Sequence, residues 1–304
     1  MRSAEYIADF GMDTISLAGP LAAKLRAIKE AGFSQVMLAA RDLVGHADGW
    51  QAAVAEVLGS GLRVTGFQVL RDFEGLSGHL HDYKVDIARS MIEMCAALRS
   101  PILLACSSTS RHATGDEDAI ARDLRKLAMM ALPHGIKVAY EGLSWGRHIN
   151  DSVGAWRIVE RANAQGQAPN LGIGIDSFHS FATRTPTDVL QELDPDKIFL
   201  VQLADFMWQE IRTVEERIET ARHFRVFPGE GVHSEELRSL LVELDGMGYR
   251  GDYSFEVFND DYTQLPLPVV AERARRSAAW LAEDVLHRAV PLPNGTRLRG
   301  PTAA

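Results

Sequence analysis

Only two cysteines, Cys95 and Cys106, occur in the 304 residues, both in apolar surroundings and without CxxC spacing. A disulfide framework is thereby excluded, and the pair reads as buried, reduced thiols of a cytoplasmic protein. No window approaches the roughly 18 consecutive apolar residues of a membrane span. The opening "MRSAEYIADFGMD" has acids where a secretory segment would be continuously apolar, so neither a membrane association nor a signal peptide is expected. Basic charge is in deficit, with 32 Lys and Arg against 41 Asp and Glu and a net charge of −9. That balance repels a phosphate backbone and argues against a nucleic-acid partner. Low-complexity stretches and Pro/Gly/Ser-rich linkers are missing until the end. One domain over 1–288 is expected, followed by a loose tail over 289–304 that includes "VPLPNGTRLRGPTAA". Homo-oligomerisation is left open.

What is there is a regular alternation. Short apolar runs rich in β-formers occur near 6–17, then at 35–40, 63–70, 101–108, 137–143, 171–177, 198–205 and 253–260, which makes eight strands. Amphipathic stretches lie between them, at Leu21 to Ala31, Trp50 to Leu58, Val85 to Leu98, Glu117 to Leu132, Ser152 to Ala162, Ser234 to Met247 and Val269 to Leu286. Glycines at 32, 59, 135 and 248 mark several stops. Eight βα units in this length fit an α/β (β/α)8 TIM barrel, with a doubly wound open sheet as the competing arrangement. "GIGID" begins inside a strand and lacks a third glycine in place, so it is a poor dinucleotide fingerprint. The connection over 206–233 is far longer than an ordinary βα loop; an extended loop after strand 7 with a short helix around Glu210 to Ala221 is expected.

The chemistry-bearing residues sit at strand ends. Glu141 closes strand five, Asp176 closes strand six, Gln202 lies in strand seven and Glu256 in strand eight, each in an apolar context that makes an isolated charge costly. In a barrel those ends share one face. Any one of these residues alone is better explained as a helix cap or an ion-pair partner; on four successive strands they point to a divalent metal. Oxygen ligands suit Mg²⁺ or Mn²⁺ first, with Co²⁺ or Zn²⁺ not separable from sequence.

Glu in "AYEGLSWGRH", Asp in "GIDSFHS", Gln in "VQLAD" and Glu in "FEVFND" together resemble the xylose-isomerase-like TIM-barrel superfamily of sugar isomerases and epimerases. "FQVLRDFEG" and "RHFRVFPGEG" sharpen the likeness toward bacterial 3-dehydroshikimate dehydratases, over about residues 10 to 285. The resemblance implies a metal-dependent lyase forming protocatechuate and water from 3-dehydroshikimate, a small hydroxylated cyclic ketone. The runner-up is a sugar or inosose isomerase, epimerase or dehydratase, and a barrel that only binds a polyol is the reading from another class. His179, three residues after Asp176, matches the family's acid/base and has the titration range for it. Arg71, at the end of strand three, is placed to grip a substrate carboxylate, with an ion pair to Asp72 or Glu74 as the competing explanation. Arg222 and His223, in the long connection, are expected to close over the substrate. Trp145, Phe178 and Trp208 are candidate walls and His148 a candidate substrate contact; His79 and His81 read as solvent residues of a loop.

Overall fold

The computed structural model describes residues 4–288; the expected tail over 289–304 lies outside the described residues. Eight strands form a closed, wholly parallel barrel in chain order: β1 Phe10–Asp13, β2 Gln35–Ala39, β3 Arg63–Arg71, β4 Ile102–Cys106, β5 Lys137–Glu141, β6 Leu171–Asp176, β7 Ile198–Leu203 and β8 Tyr253–Phe255. Closure is made by β1 on β8, with Phe10 opposite Tyr253 and Met12 opposite Phe255. The helices are α1 Leu21–Glu30, α2 Ala40–Val44, α3 Trp50–Ser60, α4 Gly78–Ala97, α5 Glu117–Ala131, α6 Ser152–Ala162, α7 Ser177–Thr183, α8 Val214–His223, α9 Ser234–Gly246 and α10 Leu267–Trp280. No described helix is long and apolar enough to cross a membrane.

Several boundaries differ from the sequence reading, each for a local reason. The first strand ends at Asp13, because the Asp13 side chain accepts the Ile15 N–H and caps a 3₁₀ turn over Thr14–Ser16. The helix expected from Val85 starts at Gly78, so His79 and His81 belong to its first turn and not to a loop. The short α2 and α7 follow their strands directly, without a loop to announce them. The helix expected around Glu210 to Ala221 is α8, set by a capping box in which Thr213 and Glu216 exchange hydrogen bonds.

Side chains on a strand alternate between two faces, and this parity decides what fills the barrel. Met37, Leu104, Cys106, Ala139 and Leu200 belong to a small cluster separate from the main core between sheet and helices. Gly174 shares that face: a Cβ there would meet Leu104 at 3.2 Å and Glu141 Cβ at 3.7 Å. Counting on by two from these inward positions reaches Asp176 on β6, Gln202 on β7, Cys106 on β4 and Glu141 on β5. Cys106 is the register partner of Glu141, and Asp176 of Gln202. Parity therefore turns Cys106, Glu141, Asp176 and Gln202 toward the barrel mouth at the C-terminal end, over the apolar side chains of the inner cluster.

Candidate active site

Glu141 and Glu256 line a cavity of about 190 Å³ whose walls also include Gln68, Arg71, Cys106, Trp145, His179, Arg222 and Arg225. Glu141, Asp176, Gln202 and Glu256 are all buried. Glu256 sits one residue past β8, not within it. Asp176 does two things at once: Oδ1 accepts the Phe178 N–H and caps α7, while Oδ2 faces the Arg225 guanidinium at 2.7 Å. Helix capping and a place in the site are thus compatible, because a carboxylate has two oxygens to give.

Arg225, like Gln68, was missed by sequence reasoning. It is 2 % exposed, and its Nη1 donates to Asp176 and, at 2.9 Å, to Glu256 Oε2. The guanidinium lies 4.4 Å from the Phe178 ring centroid and its Nε donates to Ala221 O, so it is pinned from three sides. One guanidinium against Glu141, Asp176 and Glu256 still leaves the cluster short of positive charge. Burial first, then the charges of Asp176 and Glu256, push Glu141 up to about 8. Its Oε2 accepts the Cys106 thiol at 2.9 Å, and its Oε1 is buried with no hydrogen-bond partner among the described residues. Gln68 and Asp13 complete the ring: Gln68 Nε2 donates to Asp13 and to Glu256 Oε1, and Gln68 Oε1 accepts from Gln202 Nε2.

His179 is 4 % exposed, and its Nε2 lies 3.6 Å from Asp176 Oδ2. Its Nδ1 is within reach of both the Ser144 N–H, at 3.2 Å, and the Ser144 Oγ, at 3.0 Å. Burial, and secondarily Arg225, holds the imidazole well below its usual range, which keeps it neutral. Trp145 meets its ring edge-on at 5.0 Å and Phe178 at 5.3 Å. Glu141, Asp176 and His179 bring ligand atoms within 4.8 Å of one another, a buried group able to bind a metal ion. The orphaned Glu141 Oε1 and the charge deficit fit a dication, whose oxygen and imidazole ligands are of the kinds present.

At the rim, Arg71 is exposed, and among the described residues its guanidinium makes no ion pair: Asp72 accepts from Thr109, and Glu74 from Ser108 and Tyr140. Arg222 is likewise exposed at the cavity wall. The remaining candidates lie elsewhere. His148 contacts Ala113 O at 3.0 Å beside a neighbouring crevice. His223 pairs with Asp260 at 3.0 Å. Trp208 rests against Phe224 with ring centroids 5.8 Å apart.

A barrel with this mouth finds its kin readily. The xylose isomerase-like TIM-barrel family model matches residues 25–284. The chain belongs to that family. Among its relatives, 3-dehydroshikimate dehydratase of Pseudomonas putida is 34% identical over 271 residues and that of Pseudomonas aeruginosa 36% identical, in both cases over 89% of this chain and 41% of theirs. This xylose isomerase-like barrel thus spans about two fifths of the length of the curated relatives it matches. A solved xylose isomerase-like TIM barrel/4-hydroxyphenylpyruvate dioxygenase fusion protein superposes with a TM-score of 0.84 at 32% identity, over 95% of this chain and 45% of that one.

Proposed function

We propose that this barrel is a divalent-metal-dependent lyase that dehydrates 3-dehydroshikimate to protocatechuate and water. The observation that carries the reading is the identity of 34% and 36% to two 3-dehydroshikimate dehydratases over 89% of the chain, which falls on a barrel mouth holding a carboxylate, guanidinium and imidazole cluster. Glu141, through its free Oε1, with Asp176, Gln202 and Glu256 would hold Mn²⁺ or Mg²⁺; Co²⁺ or Zn²⁺ suits the same donors. When bound, the cation supplies Lewis acidity that eases loss of a proton beside a carbonyl.

His179 serves as the base. The Ser144 N–H donates to Nδ1, which places the proton of the neutral ring on Nε2; a shift to the tautomer whose Nδ1–H donates to Ser144 Oγ frees the Nε2 lone pair, and the neutral imidazole then accepts the α proton. The imidazolium so formed has Asp176 Oδ2 at 3.6 Å as counter-charge. It returns the proton to the departing β-hydroxyl: one C–H and one C–O bond break, a C=C bond forms, and water leaves without any change of oxidation state overall. A further proton shift makes the ring aromatic. Arg71, without an ion pair among the described residues, takes the substrate carboxylate as a bidentate fork, and Arg222, on the wall of the same cavity, adds positive charge. Trp145, edge-on to the imidazole, limits ring rotation and water entry.

The test is to incubate Mn²⁺- or Mg²⁺-loaded protein with 3-dehydroshikimate and follow the ultraviolet band of protocatechuate. Its growth at a rate that falls when the cation is chelated is the expected result. Absence of product with metal bound would overturn this substrate and favour an isomerase or epimerase acting on another hydroxylated ketone.

A further inference from the structure

Gln68 occupies the inward face of β3, 2 % exposed, between Asp13, Gln202 and Glu256. A primary amide presents two donors on one side and an acceptor on the other, and here both sides are used. Nε2 donates to Asp13 and, at 3.0 Å, to Glu256 Oε1; Oε1 accepts Gln202 Nε2 at 3.2 Å. The orientation is not arbitrary. Glu256 Oε2 accepts from the Arg225 guanidinium at 2.9 Å and its Oε1 accepts from the Gln68 amide nitrogen, which turns the Gln68 carbonyl toward Gln202. Gln202 in turn presents its NH₂ to Gln68, which leaves Gln202 Oε1 on the opposite edge of its amide.

We propose that Gln68 is a positioning residue for the metal site: it sets the Gln202 amide with its oxygen available as a ligand and fixes the carboxylate plane of Glu256. The inference rests on the metal-site reading above. Few residue types can replace it. Glutamate has the length but no donor and adds a charge between two carboxylates; methionine has the length but no polar atom able to orient an amide. Donors that hold ligand side chains in place typically contribute 10–100-fold to metal affinity.

The test is titration of the chelator-stripped protein with Co²⁺, followed by its visible absorption, in the unmodified protein, Gln68→Met, Gln202→Ala and the double variant. Unfolding midpoints of the metal-free forms are measured alongside. Gln68→Met should weaken binding by about 10–100-fold. The double variant should lose less than the product of the two single losses, because an absent ligand cannot be misoriented. A purely structural role for Gln68 would lower the unfolding midpoint without this coupling. Should Gln68→Met fail to fold, Gln68→Asn, which keeps the amide but withdraws it by one methylene from Gln202 and Glu256, carries the same expectation. Unchanged affinity in a folded Gln68 variant, or losses that simply multiply, would overturn the inference while leaving the metal reading intact. No stoichiometric Co²⁺ in the unmodified protein would overturn both.

Discussion

Glu74→Gln is expected to make the protein more stable at pH 8 and to lose most of that advantage by pH 5. Glu74 is 2 % exposed, just beyond β3. Its Oε1 accepts the Ser108 N–H and the Tyr140 hydroxyl, and its Oε2 is buried without a hydrogen-bond partner among the described residues. Burial dominates over these hydrogen bonds and raises the group from 4.5 to about 7. The folded chain thus holds a proton that the unfolded chain releases near 4.5, so stability falls as pH rises from about 4.5 and the loss is complete somewhat above 7. At about 1.4 kcal/mol per pKa unit, a rise from 4.5 to about 7 corresponds to roughly 3 kcal/mol, of which about 2–3 kcal/mol falls between pH 5 and pH 8. Glutamine stays neutral throughout and keeps the carbonyl acceptor for Ser108 and Tyr140. Urea unfolding of both proteins across this range, read by tryptophan fluorescence, gives the difference at each pH. A difference that stays flat from pH 5 to pH 8, or one that grows toward acid, refutes the reasoning.

Arg225→Met removes the guanidinium between Asp176 and Glu256 and is expected to cost about 3–5 kcal/mol in the metal-free protein. Added divalent cation should recover part of it, because it binds the folded state alone; a variant that melts like the unmodified protein in chelator speaks against the role given to Arg225. His179→Ala should lower kcat by about 10²–10⁴-fold with metal content unchanged, whereas near-normal turnover with metal bound would remove His179 as the base. Arg71→Met should raise KM for the carboxylated ketone, and Arg71→Lys should restore little of it, since a point charge does not replace a bidentate fork. Steady-state kinetics with unchanged KM would leave the carboxylate without this partner.

The architecture was legible because its signals are local: strand runs, amphipathic spacing and stop glycines each depend on a few consecutive residues. The same holds for Glu141, Asp176, Gln202 and Glu256, whose polarity breaks an apolar run. Arg225 was not legible, although it stands inside "RHFRVFPGEG" beside residues that were singled out. It stands two residues past the end of α8, and its backbone is bonded to Phe258 and Asn259, contacts made across the chain that bring the guanidinium under the mouth. Arginine in a polar stretch reads as solvated until the carboxylates facing it are known. Gln68 was hidden differently. Within "GFQVL" it passes for ordinary alternation, and only the inward parity of β3 shows that it points at three other polar side chains. The end of strand one was misjudged because Asp13 turns the chain by bonding Ile15, while Ser16 Oγ reaches Phe255 O on the strand that closes the barrel.

Taken atom by atom, the carboxylate oxygens of the mouth divide into held and free. Asp176 Oδ1 caps α7 and Oδ2 meets Arg225; Glu256 Oε1 takes the Gln68 amide and Oε2 the same arginine; Glu141 Oε2 takes the Cys106 thiol. Burial, and next the charge of Glu141, push the Cys106 thiol far above its usual range, so it remains a donor and does not compete as a thiolate ligand. Both oxygens of Asp176 and of Glu256, and one of Glu141, are thus fastened by neutral or cationic donors, which fixes the side-chain planes and leaves Glu141 Oε1 as the unpartnered carboxylate oxygen of these three among the described residues. Rigid, oxygen-rich donors of that kind favour a hard dication over a soft one, and the sulfur closest to the site acts by holding Glu141 in place.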